Sequence, residues 1–139
     1  MSKTKVILIA AIIIAIAIPC CYVAKNLFGG KTIEYALEQN PDAIPWYEAR
    51  NHLGEDVTIC GVIEDIDSIT ADGNPTYIEM GDVAPNDRVT GDIWAEGQAK
   101  IPNLEEYKGK LVYMEGYLFE YKGIPSIGIK EPSQIRIVK

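Results

Sequence analysis

The stretch from Gly109 to Ile137 constrains the fold more than any other part of the chain. Residues alternate with period two from Leu111 to Phe119, which is the pattern of a β-strand. Lys122-Gly123 then provides a two-residue turn, because glycine adopts the positive φ that tight hairpins need. A second alternating run follows from Ile124 to Lys130. A hairpin of this kind must bury one face against a sheet, and the rest of the chain has to supply that sheet.

Three shorter segments before the hairpin repeat the period-two pattern. Asp56 to Asp67 is the first predicted strand, Thr76 to Gly81 the second and Val89 to Ala95 the third. Pro102 to Tyr107 is predicted as a single helical turn. The order is therefore three strands, a short helix and two more strands, without a long crossover. This order predicts an all-β fold, a five-stranded Greek-key OB-fold barrel with short helices.

The first predicted strand carries a glycine near its centre. Val57, Ile59 and Ile63 share a face with Gly61, and Cys60 faces the other way. Glycine weakens a strand unless the backbone bends there or another group approaches closely. Small closed barrels need such a bend where one strand pairs with both halves of the sheet. Gly61 is therefore predicted to mark this bend, and Cys60 to be a buried free thiol.

The segment from Val6 to Ala24 carries no charge and consists mainly of Ile, Ala, Leu and Val. A helix needs roughly 20 such residues to cross the hydrocarbon core of a bilayer. We predict an uncleaved signal anchor, an N-terminal transmembrane helix that precedes the barrel. A cleaved secretion signal is one alternative. Lipid attachment at Cys20 or Cys21 after cleavage is the other.

Lysines flank the predicted anchor on both sides. Lys3 and Lys5 precede it, and Lys25 and Lys31 follow it, so the positive-inside rule favours an internal N-terminus by a narrow margin. The protein is therefore predicted to be a single-pass membrane protein with an extracytoplasmic C-terminal domain. Its predicted divisions are a tail (1–5), the anchor (6–24), a tether (25–43) and an OB-fold domain (44–139).

Two short helices are predicted before the first strand. One runs from Thr32 to Gln39 inside the tether, because Asn40-Pro41 would end it. The other begins at Pro45 and closes at Gly54, and it presses Trp46 onto the open end of the barrel. We expect Trp46 to pack in the core rather than bind a ligand.

The chain is acidic, with 20 Asp and Glu against 13 Lys and Arg and a formal net charge of −7. Two of the basic residues, Lys3 and Lys5, precede the predicted anchor, whereas all the acidic residues follow it, so the exported part is more acidic still. Non-specific nucleic-acid binders usually present a basic face. This composition excludes a large phosphate-binding surface and leaves room for a local basic patch only.

Three segments of the chain resemble a small OB-fold family whose members bind nucleic acid and occur alone or beside secreted nuclease domains. The segments are IPWYEARNHLGEDVTICGVI, PTYIEMGD and YKGKLVYMEGYLFEYKGIPSIGIKEPSQIRI, within residues 44–138. The most specific motifs are EA-x-x-H-x-G-E from Glu48 to Glu55, Cys60-Gly61, and Y-x-G-x-P-x-I from Tyr121 to Ile127. The resemblance implies an OB fold and nucleic-acid binding.

OB domains bind ligands across the outer face of their second and third strands. That predicted face presents Tyr77 and Trp94 as a stacking platform, with Glu79 and Asp92 beside it. The bordering loops and the nearby cations complete the candidate ligand-binding set, which is Tyr77, Trp94, Arg88, Tyr121, Lys122 and Asn74. The alternative is that Tyr77 and Trp94 only pack on the barrel wall.

An aromatic column on one face of the fourth strand, Tyr113, Tyr117, Phe119 and Tyr121, is more typical of packing than of ligand binding. Cover by a protein partner or by the membrane-proximal tether is the alternative.

His52, the only histidine, lies between Glu48 and Glu55, a spacing that favours local hydrogen bonds near a helix end. We find no catalytic constellation and no metal-ligand set in the sequence, so we predict a non-enzyme without cofactor or metal.

Two functions follow from this pattern. The first is a membrane-anchored OB module that binds single-stranded nucleic acid weakly by aromatic stacking. The second is an exported adaptor domain that binds a protein or glycan partner through the same face. Salt dependence separates the two, because phosphate binding weakens steeply as the salt concentration rises.

Overall fold

A computed structural model describes residues 31–68, 75–81 and 88–139 of the chain. The strands are β1 (Ile44–Pro45), β2 (Asp56–Ser68), β3 (Thr76–Met80), β4 (Val89–Ile93), β5 (Leu111–Tyr121), β6 (Ile124–Gly128) and β7 (Ile135–Ile137). The helices are α1 (Ile33–Gln39), α2 (Ala95–Gln98) and the 3₁₀ helices Trp46–His52, Leu104–Tyr107 and Pro132–Gln134.

Five of these strands close into a barrel in the order β2-β3-β4-β6-β5, and β5 pairs back with β2. Every neighbouring pair in the barrel is antiparallel except β4 and β6, which run parallel. The closed barrel with short helices confirms the predicted mostly-β architecture, and its strand order is compatible with an OB-like fold. The short strands β1 and β7 extend the sheet beside β2 and β5.

The long strand β2 belongs to both halves of the barrel. Its first part, Asp56–Val62, pairs with β5, and its second part, from Ile63 onward, pairs with β3. The register shifts between Ile63 and Asp65, just after Gly61. A Cβ built on Gly61 would lie 2.8 Å from Cδ1 of Trp46. The predicted sharing of this strand between both halves of the barrel is confirmed. Gly61 lies where Trp46 packs closely against the strand, whereas a bend at Gly61 itself stays a prediction.

The barrel interior holds one cluster of apolar side chains. Inward-facing residues of every barrel strand contribute to it, and its largest fully buried members are Ile59, Ile63, Ile78, Met80, Ile93, Met114, Leu118, Ile127 and Ile129. Trp46 lies partly buried against this cluster. The predicted inward face of the first strand is confirmed by Ile59 and Ile63, which are both fully buried.

A second apolar cluster lies on the outside of the barrel, under α1. Thr32 caps this helix by accepting a hydrogen bond from the Tyr35 backbone N–H at 3.2 Å. Ile33 and Ala36 on the buried side of α1 join Cys60 in the cluster. Residues 31–43, predicted as tether, thus include a helix packed on the sheet, and the predicted domain boundary at residue 44 stays a prediction.

The predicted element bounds differ from the structure at the short elements. The third predicted strand ends at Ile93, because Trp94 already caps α2, and the last ends at Gly128 rather than at Lys130. The sequence pattern does not predict the helix α2 or the strand β1. Their two to four residues are too few to show a hydrophobic period.

No helix in the described part of the chain is long and apolar enough to cross a membrane. The predicted anchor, Val6 to Ala24, and the two cysteines Cys20 and Cys21 lie outside the described residues. Membrane anchoring therefore stays a prediction at this point.

Candidate nucleic-acid interface

The outer face of β3 carries two of the expected side chains. Tyr77 and Glu79 are half-buried there, while Ile78 and Met80, which alternate with them, are fully buried in the core. Tyr77 lies directly opposite Asp92 on β4, and Glu79 lies opposite Thr90. The period-two pattern of β3 thus places Tyr77 on the predicted face.

The outer side chains of β4 are buried, which corrects one expectation. The sequence pattern predicts Asp92 at the surface beside the aromatic platform, but only 1% of it is exposed. Thr90 on β4 and Ser126 on β6 lie opposite each other in the same face and are buried as well. Something on the outside of the sheet must therefore shield this row of polar groups.

The shield includes two tyrosines. A side-chain hydrogen bond joins Tyr77 on β3 to Tyr121 on β5. Tyr77 also lies directly opposite Asp92 and interacts with its carboxyl group, so the pair covers part of the same outer face. We call the Tyr77–Tyr121 pair the tyrosine bridge. Burial, followed by the neighbouring Tyr121 and Asp92, raises the pKa of the Tyr77 hydroxyl.

The carboxyl group of Asp92 is incompletely satisfied beneath the bridge. It shares a side-chain hydrogen bond with Thr90, but its Oδ1 atom is buried without a hydrogen-bond partner among the described residues. Burial raises the pKa of Asp92, and the bond with Thr90 offsets part of that rise. Thr90 Oγ1 also lies 2.9 Å from Ser126 Oγ, which donates to the Ile124 carbonyl at 3.0 Å.

The two predicted cations have different neighbours. Arg88 donates to Glu79 at 3.0 Å, so the charge of that carboxylate is paired. The Nε atom of Arg88 is buried and has no partner in the part of the chain that the structure describes. Lys122, in the turn between β5 and β6, places its ammonium 5.3 Å from the ring centre of Tyr121. The structure therefore brings Lys122 to the tyrosine bridge and holds Arg88 on Glu79.

Trp94 stands apart from the other candidates. It follows the last residue of β4 and caps α2, and 45% of its surface is exposed. Among the described residues it makes no ring contact with Tyr77. Asn74, the remaining predicted ligand-binding residue, lies outside the described residues.

The candidate face is consequently a strip along β4. Trp94 lies at one end of the strip, and Asp92 and Tyr77 lie in its middle. Arg88, which directly precedes β4, lies at the other end. Six residues of strand span about 20 Å. The strip is long enough for a few nucleotides of an extended single strand.

Thr90 and Ser126 belong to this site, although no sequence pattern points to them. Each occupies an outward-facing position in the period-two pattern of its strand. Their pairing, however, depends on the parallel register of β4 and β6. That register joins two segments that are distant in the chain, and a local period carries no information about it.

The aromatic column of β5 divides between three environments. Tyr113 is buried under α1 and donates a hydrogen bond to the Ala36 carbonyl, so the segment predicted as tether covers it. Tyr117 is 55% exposed, whereas Phe119 and Tyr121 are half-buried. The column is therefore not one continuous surface.

An acidic cleft opens on another side of the barrel, with a volume of about 540 Å³. Its lining includes four carboxylates, Asp42, Glu55, Asp56 and Glu115. His52 Nδ1 lies 2.7 Å from Glu55 Oε2 at its edge, which is the local contact predicted for this histidine. Within the described residues, no group of His, Cys, Asp and Glu side chains is arranged to hold a metal ion.

No protein-family model matches the chain, and no curated protein matches it. A solved structure of a putative aspartyl-tRNA synthetase from Leishmania major Friedlin is 14% identical to this chain, with a TM-score of 0.48. The match covers 70% of this chain and 20% of the synthetase. A putative nucleic acid-binding lipoprotein from Klebsiella pneumoniae subsp. pneumoniae MGH 78578 has 22% identity over 75% of this chain and 83% of its own, with a TM-score of 0.43. These likenesses are too weak to carry an argument, so the OB-like assignment stands on the strand order and register.

Proposed function

We propose that the chain is a membrane-anchored OB-fold module that binds single-stranded nucleic acid weakly, without catalysis. Bases would stack on Trp94 at one end of the strip and on the tyrosine bridge further along it. Each stacked base contributes about 1–3 kcal/mol to binding. The observation that carries the proposal is an exposed tryptophan and two half-exposed tyrosines along the face on which OB domains bind ligands.

The acidic composition of the chain argues against nucleic-acid binding, but the charges on this particular face are compatible with it. Glu79 is paired with Arg88, and Asp92 is buried beneath the outer surface. The two carboxylates expected to repel a phosphate backbone are therefore screened. Lys122 is an exposed cation on the strip. Few phosphate contacts are available, so the binding is weak and depends mainly on stacking.

A titration of the full chain in a mild non-ionic detergent tests the proposal. A labelled oligodeoxynucleotide of about 12 nucleotides covers the usual site size of one OB fold. Fluorescence anisotropy at low and moderate salt should give saturable binding that weakens as salt rises. The absence of binding at low salt would overturn the proposal.

A pair of matched variants tests the stacking platform. Trp94→Ala should weaken binding by about 1–3 kcal/mol, the contribution of one stacked base. Tyr47→Ala serves as the control, because Tyr47 is 44% exposed, close to the 45% of Trp94. Tyr47 lies in the 3₁₀ helix Trp46–His52, and Trp46 of this helix packs at Gly81, near the start of β4. Trp94 follows the last residue of β4, at the opposite end of that strand. Equal losses in the two variants would exclude Trp94 as a specific platform.

Membrane anchoring through residues 6–24 is the second part of the proposal, with the C-terminal domain extracytoplasmic. The uncharged length of this segment supports it. The mature protein should keep Met1 or Ser2 and stay with membranes after a carbonate wash. An intact mass that starts after residue 19 would instead support cleavage or lipid attachment.

The adaptor function remains the alternative, and the acidic cleft is the feature that favours it. Four carboxylates in one cleft would attract a basic protein segment. Binding of a neutral glycan, in contrast, would not depend on salt. If no oligonucleotide binds, the adaptor becomes the preferred function.

A further inference from the structure

We propose that Asp92 selects the base bound on this face, because its unpartnered Oδ1 atom accepts a hydrogen bond from an amino group of the base. This inference rests on the proposed nucleic-acid binding and deepens it by naming the class of base. It predicts a preference for cytosine over thymine in a single strand.

The hydrogen bonds around Asp92 identify Oδ1 as an acceptor. The hydrogen bond between Thr90 and Asp92 lowers the pKa of the carboxyl group, which is the effect of a hydroxyl that donates to the ionised form. The Thr90 oxygen lies 2.9 Å from Ser126 Oγ, and either hydroxyl can donate in that contact, so the Thr90 proton is available to the carboxylate.

The ionised form is the state to which Thr90 donates, and both of its oxygens are acceptors. In this state Oδ1 needs a donor, and none of the described residues supplies one. Buried polar atoms without a partner are rare in folded proteins, so this one points to a ligand.

A ligand reaches Oδ1 from the outer face, beside Tyr77. Asp92 is 1% exposed, with Tyr77 directly opposite it on β3 and, among the described residues, open space over Gly128 next to it on β6. Both tyrosines are only half-buried, and their side chains lie at the surface. Rotation of Tyr77 would separate the two hydroxyls and admit the edge of a base, while the ring stays available for stacking.

The chemistry of the bases sets the selectivity. Cytosine presents an amino donor at N4, which carboxylate side chains accept, whereas thymine presents a carbonyl oxygen at the equivalent O4 position. A thymine O4 placed against Oδ1 would set two acceptors against each other. Cytosine and thymine are both pyrimidines of similar stacking area, so a comparison between them isolates this contact.

The test compares oligodeoxycytidylate with oligodeoxythymidylate of equal length, bound to the full chain in detergent at low salt. The wild type should bind oligodeoxycytidylate on the order of tenfold more tightly. Asp92→Leu, which has no acceptor, should bring the ratio close to one while thymidylate binding persists. The measurement is made at mildly alkaline pH, which favours the ionised form of Asp92.

The outcomes separate this inference from the function beneath it. Equal wild-type affinities for the two oligonucleotides would overturn the role of Asp92 and leave nucleic-acid binding standing. Persistence of the preference in Asp92→Leu would also overturn it. Failure to bind either oligonucleotide would overturn both proposals. Asp92→Ala provides a second variant without an acceptor if Asp92→Leu does not fold.

Discussion

Gly61 lies so close to the side chain of Met80 that a Cβ built on the glycine would be 2.6 Å from the Met80 Cγ. Trp46 closes the same space from the other side. Gly61→Val should therefore lower the free energy of unfolding by about 1–3 kcal/mol, the usual effect of overpacking a close-packed interior. Urea denaturation of the purified chain measures this change.

Gly128 is the matched control for that substitution. It also lies in a barrel strand, but a Cβ built there has no atom of the described residues within 4 Å. Gly128→Val should unfold at nearly the same urea concentration as the wild type. A larger loss of unfolding free energy in Gly128→Val than in Gly61→Val would contradict the tight packing of Trp46 and Met80 against Gly61 of β2.

The raised pKa of Asp92 makes stability depend on pH with a defined sign. Above the ordinary value of 3.8 the unfolded chain has released this proton, whereas the folded protein still holds it. The free energy of unfolding should therefore fall as pH rises from 3.8 through the folded-state pKa, and then level off.

Asp92→Asn isolates this contribution, because the amide does not titrate and every other carboxyl group is unchanged. Unfolding free energies of the two proteins should be compared at pH values between 3.8 and neutrality. The wild type should lose stability relative to the variant as pH increases. A constant difference, or one of opposite slope, would contradict the burial of a proton on Asp92.

Cys60 should resist alkylation in the folded protein. It is fully buried, and that burial raises the pKa of its thiol to about 12. Because the thiolate is the reactive form, iodoacetamide at mildly alkaline pH should leave Cys60 unmodified. Peptide mass mapping with and without urea provides the measurement, and modification in both conditions would contradict the packing of α1 over this strand.

Lys122 should account for part of the salt dependence of oligonucleotide binding. Each phosphate contact to a single strand contributes about −0.7 to the slope of log K against log salt concentration. Lys122→Ala should make the slope less negative by about this amount. Lys31→Ala is a close control, because Lys31 lies 5.2 Å from the ring centre of Tyr35 in the same kind of contact. A change of slope in both variants would point to general charge rather than to this strip.

The barrel strands could be predicted from the sequence because each of them shows a local signal. Period-two alternation marks β2, β3 and β5, and the Lys122-Gly123 turn marks the hairpin to β6. The close approach of other side chains at Gly61 was predictable because a glycine in mid-strand weakens the strand unless the backbone bends or is approached closely there. These features depend on neighbours in the chain, which a period or a turn residue reports directly.

The burial and the ion pairing of side chains on the candidate face could not be predicted from local patterns. The pattern of β4 correctly places Asp92 outside the core, yet Asp92 is buried there beside Tyr77, which comes from another strand. The pairing of Glu79 with Arg88 also crosses between strands. The sequence predicts two exposed carboxylates beside the aromatic platform, and these two effects reduce their exposure and charge. Both effects arise from contacts between separate strands, which no local pattern encodes.

The division of β2 between β3 and β5 has a consequence for biosynthesis. During synthesis β2 leaves the ribosome well before β5, so its first half has no antiparallel partner until Leu111–Tyr117 have been added. An apolar strand left unpaired on one edge can pair with other chains instead. The barrel is therefore most prone to aggregation before β5 is complete, and formation of the β2–β5 ladder ends this exposure.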